Sequence, residues 1–145
     1  MDQPKYEFTK SNELYFDFFS VGKKGVVYKR VRFHEISNYG FYNMGLCDVD
    51  PETGEENYNS ITDNGDRDTV LATVAEICET FFNLYPLHTI YFKGTTDSRT
   101  RLYQMAINHY FYELDEKFDI LGELGDKMRR FKKNTNYKSF LILKK

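Results

Sequence analysis

The alternation of apolar and polar positions divides the chain into a series of short elements. Residues 14 to 20, LYFDFFS, are rich in aromatics and alternate imperfectly, which predicts a strand. Two glycines in VGKKG, residues 21 to 25, mark a turn. Residues 26 to 34 then set Val27, Lys29, Val31 and Phe33 against Val26, Tyr28, Arg30 and Arg32, the second strand of a hairpin. Residues 41 to 49, FYNMGLCDV, predict a third strand. Gly45 in its middle signals a bulge or the close approach of a ligand.

Residues 50 to 66 are acidic and turn-rich and read as a long loop. Beyond them Val70, Leu71, Val74, Ile77, Cys78 and Phe81 share one helical face, and Pro86 ends that helix. Residues 88 to 93 predict a short strand closed by Gly94. Residues 95 to 98, TTDS, cap a second helix that runs to about Glu113, with Leu102, Met105, Ala106 and His109 as its buried face. Residues 117 to 122 and 138 to 143 predict two final strands, antiparallel through a basic connection. The strand-helix-strand alternation in this half implies a parallel pair made by a right-handed crossover. The expected fold is α+β in one domain over residues 1 to 145. It has a mixed, mainly antiparallel sheet and two main helices in the order βββ-α-β-α-ββ.

Composition sharpens this picture. The chain has 145 residues, 41 % apolar and 29 % charged, close to globular averages, so collagen-like, fibrous and wholly disordered classes are excluded. Nothing approaches the roughly 20 apolar residues of a membrane span. MDQPKYEFTK at the start has no apolar run, so the expected location is the cytoplasm and no membrane partner is expected. Cys47 and Cys78 have no metal-ligand spacing and read as free thiols. His34, His88 and His109 fall in three different elements, and the Asp48 to Glu56 run lacks the Gly and Glu positions of a calcium loop, so no metal is expected.

The unusual quantity is the aromatic count, 12 Tyr and 13 Phe with no Trp. Alternate residues of a strand point to opposite faces. The runs Tyr15, Phe16, Phe18, Phe19 and Tyr39, Phe41, Tyr42 therefore cannot all enter one core, and neither can Tyr110, Phe111 and Tyr112. The N-terminal hairpin should carry two apolar faces, one of them an interface for a protein partner or for self-association.

The net charge of −2 hides an asymmetry. Residues 127 to 145 hold eight Lys or Arg and no acid, whereas the first 126 residues carry 12 basic and 22 acidic side chains. The basic segment from 127 to 138, with Phe131 and Tyr137 as stacking groups, is a candidate nucleic-acid contact. Arg99 and Arg101 beside Lys93 oppose the dipole of the second helix. This implies an internal ion pair with the 48 to 68 acids, or an acidic ligand.

The element order resembles the C-terminal three-quarters of GNAT-type acyl-CoA N-acetyltransferases, over about residues 26 to 145. Two stretches carry the resemblance: Thr62-Asp63-Asn64-Gly65-Asp66-Arg67 before Val70-Leu71, and Ser98-Arg99 followed by Leu102-Tyr103. It implies an acetyltransferase-like core. Gly65, Asn64 and Arg67 would then bind the diphosphate of acyl-CoA, and Tyr103 would act as general acid toward the departing thiolate. Glu35 or His34 would be the base. The chain also looks like a small family of uncharacterised bacterial and phage-encoded proteins sharing Asn64-Gly65-Asp66, Val70 to Val74 and Arg99 to Tyr103.

Asp63, Asp66 and Asp68 crowd Gly65 and would repel a diphosphate. The leading expectation is therefore an acetyltransferase-like domain that is not catalytic, needs no cofactor and acts by binding a protein. The alternatives are an active acyl-CoA-dependent N-acyltransferase and a nucleic-acid binder using the basic segment.

Overall fold

The computed structural model describes residues 3–12, 14–59 and 63–145. The elements in chain order are β1 (Thr9–Asn12), β2 (Tyr15–Gly22), β3 (Gly25–Ser37), β4 (Phe41–Val49), β5 (Glu56–Asn57), α1 (Arg67–Leu84), β6 (Thr89–Phe92), α2 (Asp97–His109), α3 (Phe111–Lys117), β7 (Phe118–Leu124), β8 (Lys127–Arg130) and β9 (Phe140–Lys144). The strands pair in the order β1-β2-β3-β4-β6-β9-β7-β8, with β5 on β4. The class is α+β with a mixed, mostly antiparallel sheet, and the pairing of β4 with β6 is the parallel one. No helix among the described residues is long and apolar enough to cross a membrane. The chain divides into two compact units, and β3 and β4 each contribute one segment to either unit.

The unit built from residues up to 34 and from 44 to 84 rests on the β2–β3 hairpin and α1. Gly22 pairs with Gly25, and Gly25 takes a φ of +88° that a side chain would resist. One hairpin face supplies Phe16, Phe18, Val31 and Phe33 to the core, where Phe33 stacks on Phe81 of α1 at 4.1 Å. α1 stops at Leu84, just short of Pro86, as its sequence requires. Its buried side is rotated from the expected one: Ala72, Thr73 and Phe82 are buried, and Leu71 and Val74 only partly so. The opposite hairpin face keeps Phe19, Val21 and Val26 mostly exposed, Val26 at 67 %. The expectation of two apolar faces therefore describes this hairpin.

Beside those exposed residues lies an ion-pair chain. Asp17 receives Arg30 Nε at 2.8 Å, Tyr28 Oη at 2.5 Å and Ser11 Oγ at 2.9 Å, and Arg30 and Arg32 both reach Glu56 of β5. Burial alone would raise the Asp17 carboxyl, but the three hydrogen bonds outweigh it and hold it below its ordinary 3.8. Lys29 pairs with Asp48 at 2.7 Å. The acids at both ends of the 48 to 56 loop are thus structural, and the turn between them closes through Gly54 N–H to Asp50 O at 2.8 Å.

The unit built from residues 35–43 and 85–145 carries β6, β9, β7 and β8 in antiparallel succession, with α2 and α3. Phe92 stacks on Phe140 at 5.1 Å, Phe140 lies 6.3 Å from Phe131, and Phe131 stacks on Phe111 of α3 at 5.3 Å. The second helix breaks at Tyr110 into α2 and α3 instead of running through to Glu113. Its buried face also differs from the expected one. Thr100, Gln104 and Ile107 are buried, whereas Met105 and His109 face solvent and Leu102 and Ala106 are only partly covered. Polar residues can line this face because each has a partner, as described below. β8 was expected as a connection, since KMRR has no apolar alternation; it pairs with β7 from Leu121↔Arg130 to Leu124↔Lys127. β1 and β5 are likewise too short and polar to announce themselves.

A tight joint here is at Gly122 on β7. A methyl group at that position would meet the Tyr137 ring at 2.4 Å, and the ring is itself buried. Gly122→Ala is expected to displace Tyr137 and cost about 3 kcal/mol through overpacking, read as a lower midpoint in chemical denaturation. A second expectation concerns acid. A carboxyl held below its ordinary value stabilises the fold above that value, and this contribution is lost as pH falls through the folded one. Asp17→Asn should therefore be less stable than the parent near neutrality, and the gap should close below about pH 3.8 in parallel denaturation curves.

Candidate anion-binding cleft

α2 begins where β6 runs out through Lys93, Gly94 and Thr95. Gly94 N–H donates to Thr100 Oγ1 at 3.0 Å, Thr100 Oγ1 donates to Thr96 O at 3.2 Å, and Thr96 Oγ1 caps the helix by accepting Arg99 N–H. The turn is too tight for any side chain at Gly94, whose added methyl would meet Thr100 N at 2.3 Å. This geometry fixes Lys93 beside the first turn of the helix.

Asp97, Arg101 and Gln104 follow at helical spacing and form one stripe of α2. Gln104 is 4 % exposed. Its Oε1 accepts Tyr137 N–H at 3.2 Å, and Asn108 Oδ1 accepts Asn134 N–H at 3.3 Å. Asn134 takes the left-handed φ of 64° that turns the connection back. Tyr137 Oη accepts Lys132 N–H at 2.9 Å, so the loop is closed on itself as well. Phe131 and Tyr137, expected to be exposed stacking groups, are buried: the slot above Gly122 and the ring of Phe111 take them up.

Between the strapped loop and α2 lies a cleft of about 440 Å³, bordered by Lys93, Arg101 and Lys138, by Ser98 and Asn136, and by the single carboxylate of Asp97. The volume suits a small ligand. Among the described residues none of the three cations forms an ion pair. The acids at 48 and 56, expected as partners for Arg99 and Arg101, are engaged by Lys29, Arg30 and Arg32. Arg99, grouped with Arg101 in the sequence, does not border the cleft. Three cations against one acid at a helix N-terminus give an electropositive concavity.

The residues marked by the acetyltransferase resemblance fall in different units, Tyr103 in one and Asn64, Gly65 and Arg67 in the other. Thr62 lies outside the described residues. Asn64 is 2 % exposed, and its side chain is fully engaged: Oδ1 accepts Lys24 N–H at 2.6 Å, and Nδ2 donates to Ser20 Oγ and Gly25 O, each at 3.0 Å. Asp66 Oδ2 accepts Tyr6 Oη at 2.6 Å and Ser20 Oγ at 2.5 Å. Burial and this carboxylate together raise the Tyr6 hydroxyl. A carboxylate and the hairpin turn thus occupy the surroundings of Gly65. Tyr103 packs edge-on against Phe92 at 5.6 Å and does not border the cleft. His34 is exposed, and Glu35 sits by Tyr42, whose hydroxyl is raised by burial and by that carboxylate.

Gly45 is explained without a ligand, since the ring of Tyr58 lies over it. Cys47 and Cys78 are buried free thiols, pushed up by burial to about 11 and about 12 respectively, which keeps them protonated and unreactive near neutrality. No cluster of metal-ligating side chains exists among the described residues.

Fold and cleft together define an α+β protein with a basic concavity whose cations form no ion pair among the described residues. The chain belongs to a family of unknown function, DUF6934, whose model matches residues 2–145. No curated protein and no solved structure matches it. The resemblance to an uncharacterised family therefore stands, and that to acyl-CoA N-acetyltransferases finds no counterpart in the comparisons.

Gln104, Asn136 and the buried role of Tyr137 were not visible in the sequence, although the spacing of Asp97, Arg101 and Gln104 marks a polar stripe. Gln104→Ala is expected to leave Tyr137 N–H buried without an acceptor. It should cost about 1–3 kcal/mol, seen as a lowered denaturation midpoint and faster hydrogen exchange at Tyr137.

Proposed function

We propose that this protein is a binding domain for a phosphate-bearing ligand, held in the cleft at the start of α2. The observation that carries the reading is that Lys93, Arg101 and Lys138 border one concavity and none of them forms an ion pair among the described residues. Lys93, Arg101 and Lys138 are exposed, and three like charges kept together repel one another, a cost that an anion between them removes. Arg101 offers two-pronged hydrogen bonding to phosphate oxygens, the two lysines supply point charge, and Ser98 and Asn136 add neutral polar groups. Acyl-CoA is not the ligand favoured here, because the Gly65 loop that would hold its diphosphate presents Asp66.

Titration with inorganic pyrophosphate, followed by calorimetry and by amide chemical shifts, tests this. Saturable binding is expected, with shifts at Ser98, Arg101 and Lys138. Arg101→Ala and Lys138→Ala should each weaken it about tenfold, as loss of a charge-assisted hydrogen bond predicts. Absence of binding, or binding by both variants as tight as the parent's, refutes the reading.

A second reading, self-association through the outer face of the β2–β3 hairpin, is favoured by the exposure of Phe19, Val21 and Val26 beside Asp17 and Arg30. A face carrying both charge signs around an apolar centre can complement a copy of itself across a two-fold axis. Light scattering should show a dimer that Val26→Lys converts to monomer; a monomer at every concentration removes this reading.

A further inference from the structure

Resting on the anion-binding reading, we infer that the ligand is the phosphate backbone of a single-stranded nucleic acid, which starts in the α2 cleft and continues across the sheet end onto β8. The register carries this. Phe92 pairs with Phe140, Phe140 with Gly122, and Gly122 with Arg129, so one transverse row crosses β6, β9, β7 and β8. Residues paired across a sheet project on the same face. Arg129 therefore shares a face with Phe92, Phe140 and the Tyr137 ring that lies over Gly122. Two residues along, Lys127 pairs with Leu124 on that same face. Lys138 lies two residues before Phe140, and Lys93 follows Phe92 directly. Three strand spacings separate the first strand of this row from the last, about 14 Å.

A single phosphate needs only the cleft. A band of cations running on from Lys93, Arg101 and Lys138 to Lys127 and Arg129 matches a chain of phosphates. All four residues of β8 are exposed, and neither Lys127 nor Arg129 forms an ion pair among the described residues. The unit that bears the band, residues 35–43 and 85–145, carries 12 Lys or Arg against eight acids, while the other unit carries eight against 14. Asp97, Glu123 and Asp126 lie along the path, and Glu123 Oε1 is taken by Ser139 Oγ at 2.7 Å. Binding is thus expected to be moderate and strongly salt-dependent.

Single strands are favoured over duplexes by Tyr112. It is 75 % exposed on α3, with Lys133 Nζ 5.1 Å from its ring centre. An open aromatic face can stack an unpaired base, and a duplex offers it none.

The experiment is fluorescence anisotropy with a labelled oligouridylate of about 12 nucleotides and with its duplex, alongside calorimetry with inorganic pyrophosphate. The oligonucleotide should bind at least tenfold more tightly than pyrophosphate and more tightly than the duplex. The double variant Lys127→Ala, Arg129→Ala should weaken the oligonucleotide about tenfold. It should also reduce the slope of log affinity against log salt by about 1.4, two phosphate contacts on a single strand, and leave pyrophosphate binding unchanged. Arg101→Ala should weaken both ligands, and Tyr112→Ala only the single strand. If pyrophosphate binds but the oligonucleotide is no tighter, or is indifferent to the β8 variant, the band is refuted and the cleft survives. Equal binding of the duplex refutes the single-strand assignment. If neither ligand binds, both readings fall.

Discussion

The packing of the Tyr137 ring against bare backbone at Gly122 is the contact on which the basic cleft depends. Burying such a ring stabilises by roughly 2–3 kcal/mol. Here it also anchors a loop that would otherwise be held by few contacts, because residues 132 to 138 are largely polar or charged. The ring's hydroxyl accepts Lys132 N–H and its own backbone donates to Gln104, so one side chain joins strand, loop and helix. Lys138 reaches the rim of the cleft because its neighbour is fixed in this way. The charge of the site and the packing of the core are thus one arrangement: Gly122 must lack a side chain for Lys138 to meet Arg101 across the cleft.

The two units handle charge in opposite ways. In the hairpin unit Asp17, Arg30, Glu56 and Arg32 alternate in sign, and Lys29 is matched by Asp48, so most half-buried charge there is compensated. Such chains fix strand register more than they add stability, since each desolvated ion loses hydration in exchange for its partner. In the other unit Lys93, Arg101, Lys127, Arg129 and Lys138 have no such matching among the described residues. Lys145 pairs with Asp115, which shows that acids are available to basic side chains in this unit elsewhere. A protein that neutralises its cations in one place and leaves them bare in another concentrates potential where an anion can use it.

Much of the frame was legible in the sequence for a simple reason: its elements bury one face and obey their own period. β4 begins and ends as its alternation predicts, α1 is stopped by Pro86, and β7 and β9 are shifted by only one or two residues from the expected strands. α2 was harder. Its buried face carries Thr100 and Gln104, which a hydrophobic period cannot reveal, so Met105 and His109 were turned inward by expectation and outward by the fold. β8 escaped notice because an edge strand guarded by Lys and Arg has no apolar signature. The acetyltransferase pattern failed locally for a comparable reason: Asn64-Gly65-Asp66 has a phosphate loop's residue types, but long-range partners at Tyr6, Ser20, Lys24 and Gly25 consume its donors and acceptors.

The basic segment shows how a composition-level signal and a structural one can agree on chemistry and disagree on atoms. The excess of Lys and Arg beyond residue 126 supplies Lys138 to the cleft, whose other two cations, Lys93 and Arg101, lie earlier in the chain, and the segment's Phe131 and Tyr137 serve the core. A ring can be buried here only because Gly122, fifteen residues before Tyr137 in the chain, leaves room for it. That match is between positions on a strand and a loop, so no local window of sequence contains it. The exposed ring next to the segment is instead Tyr112, delivered by the break at Tyr110 that separates α3 from α2. Were the second helix continuous to Glu113, as its period suggested, Tyr112 would project about 100° per residue further along the α2 stripe. The break re-aims it to where Lys133 covers part of its face. The device that spoils the simple helical reading is therefore the same one that places an exposed aromatic beside Lys133 of the basic segment.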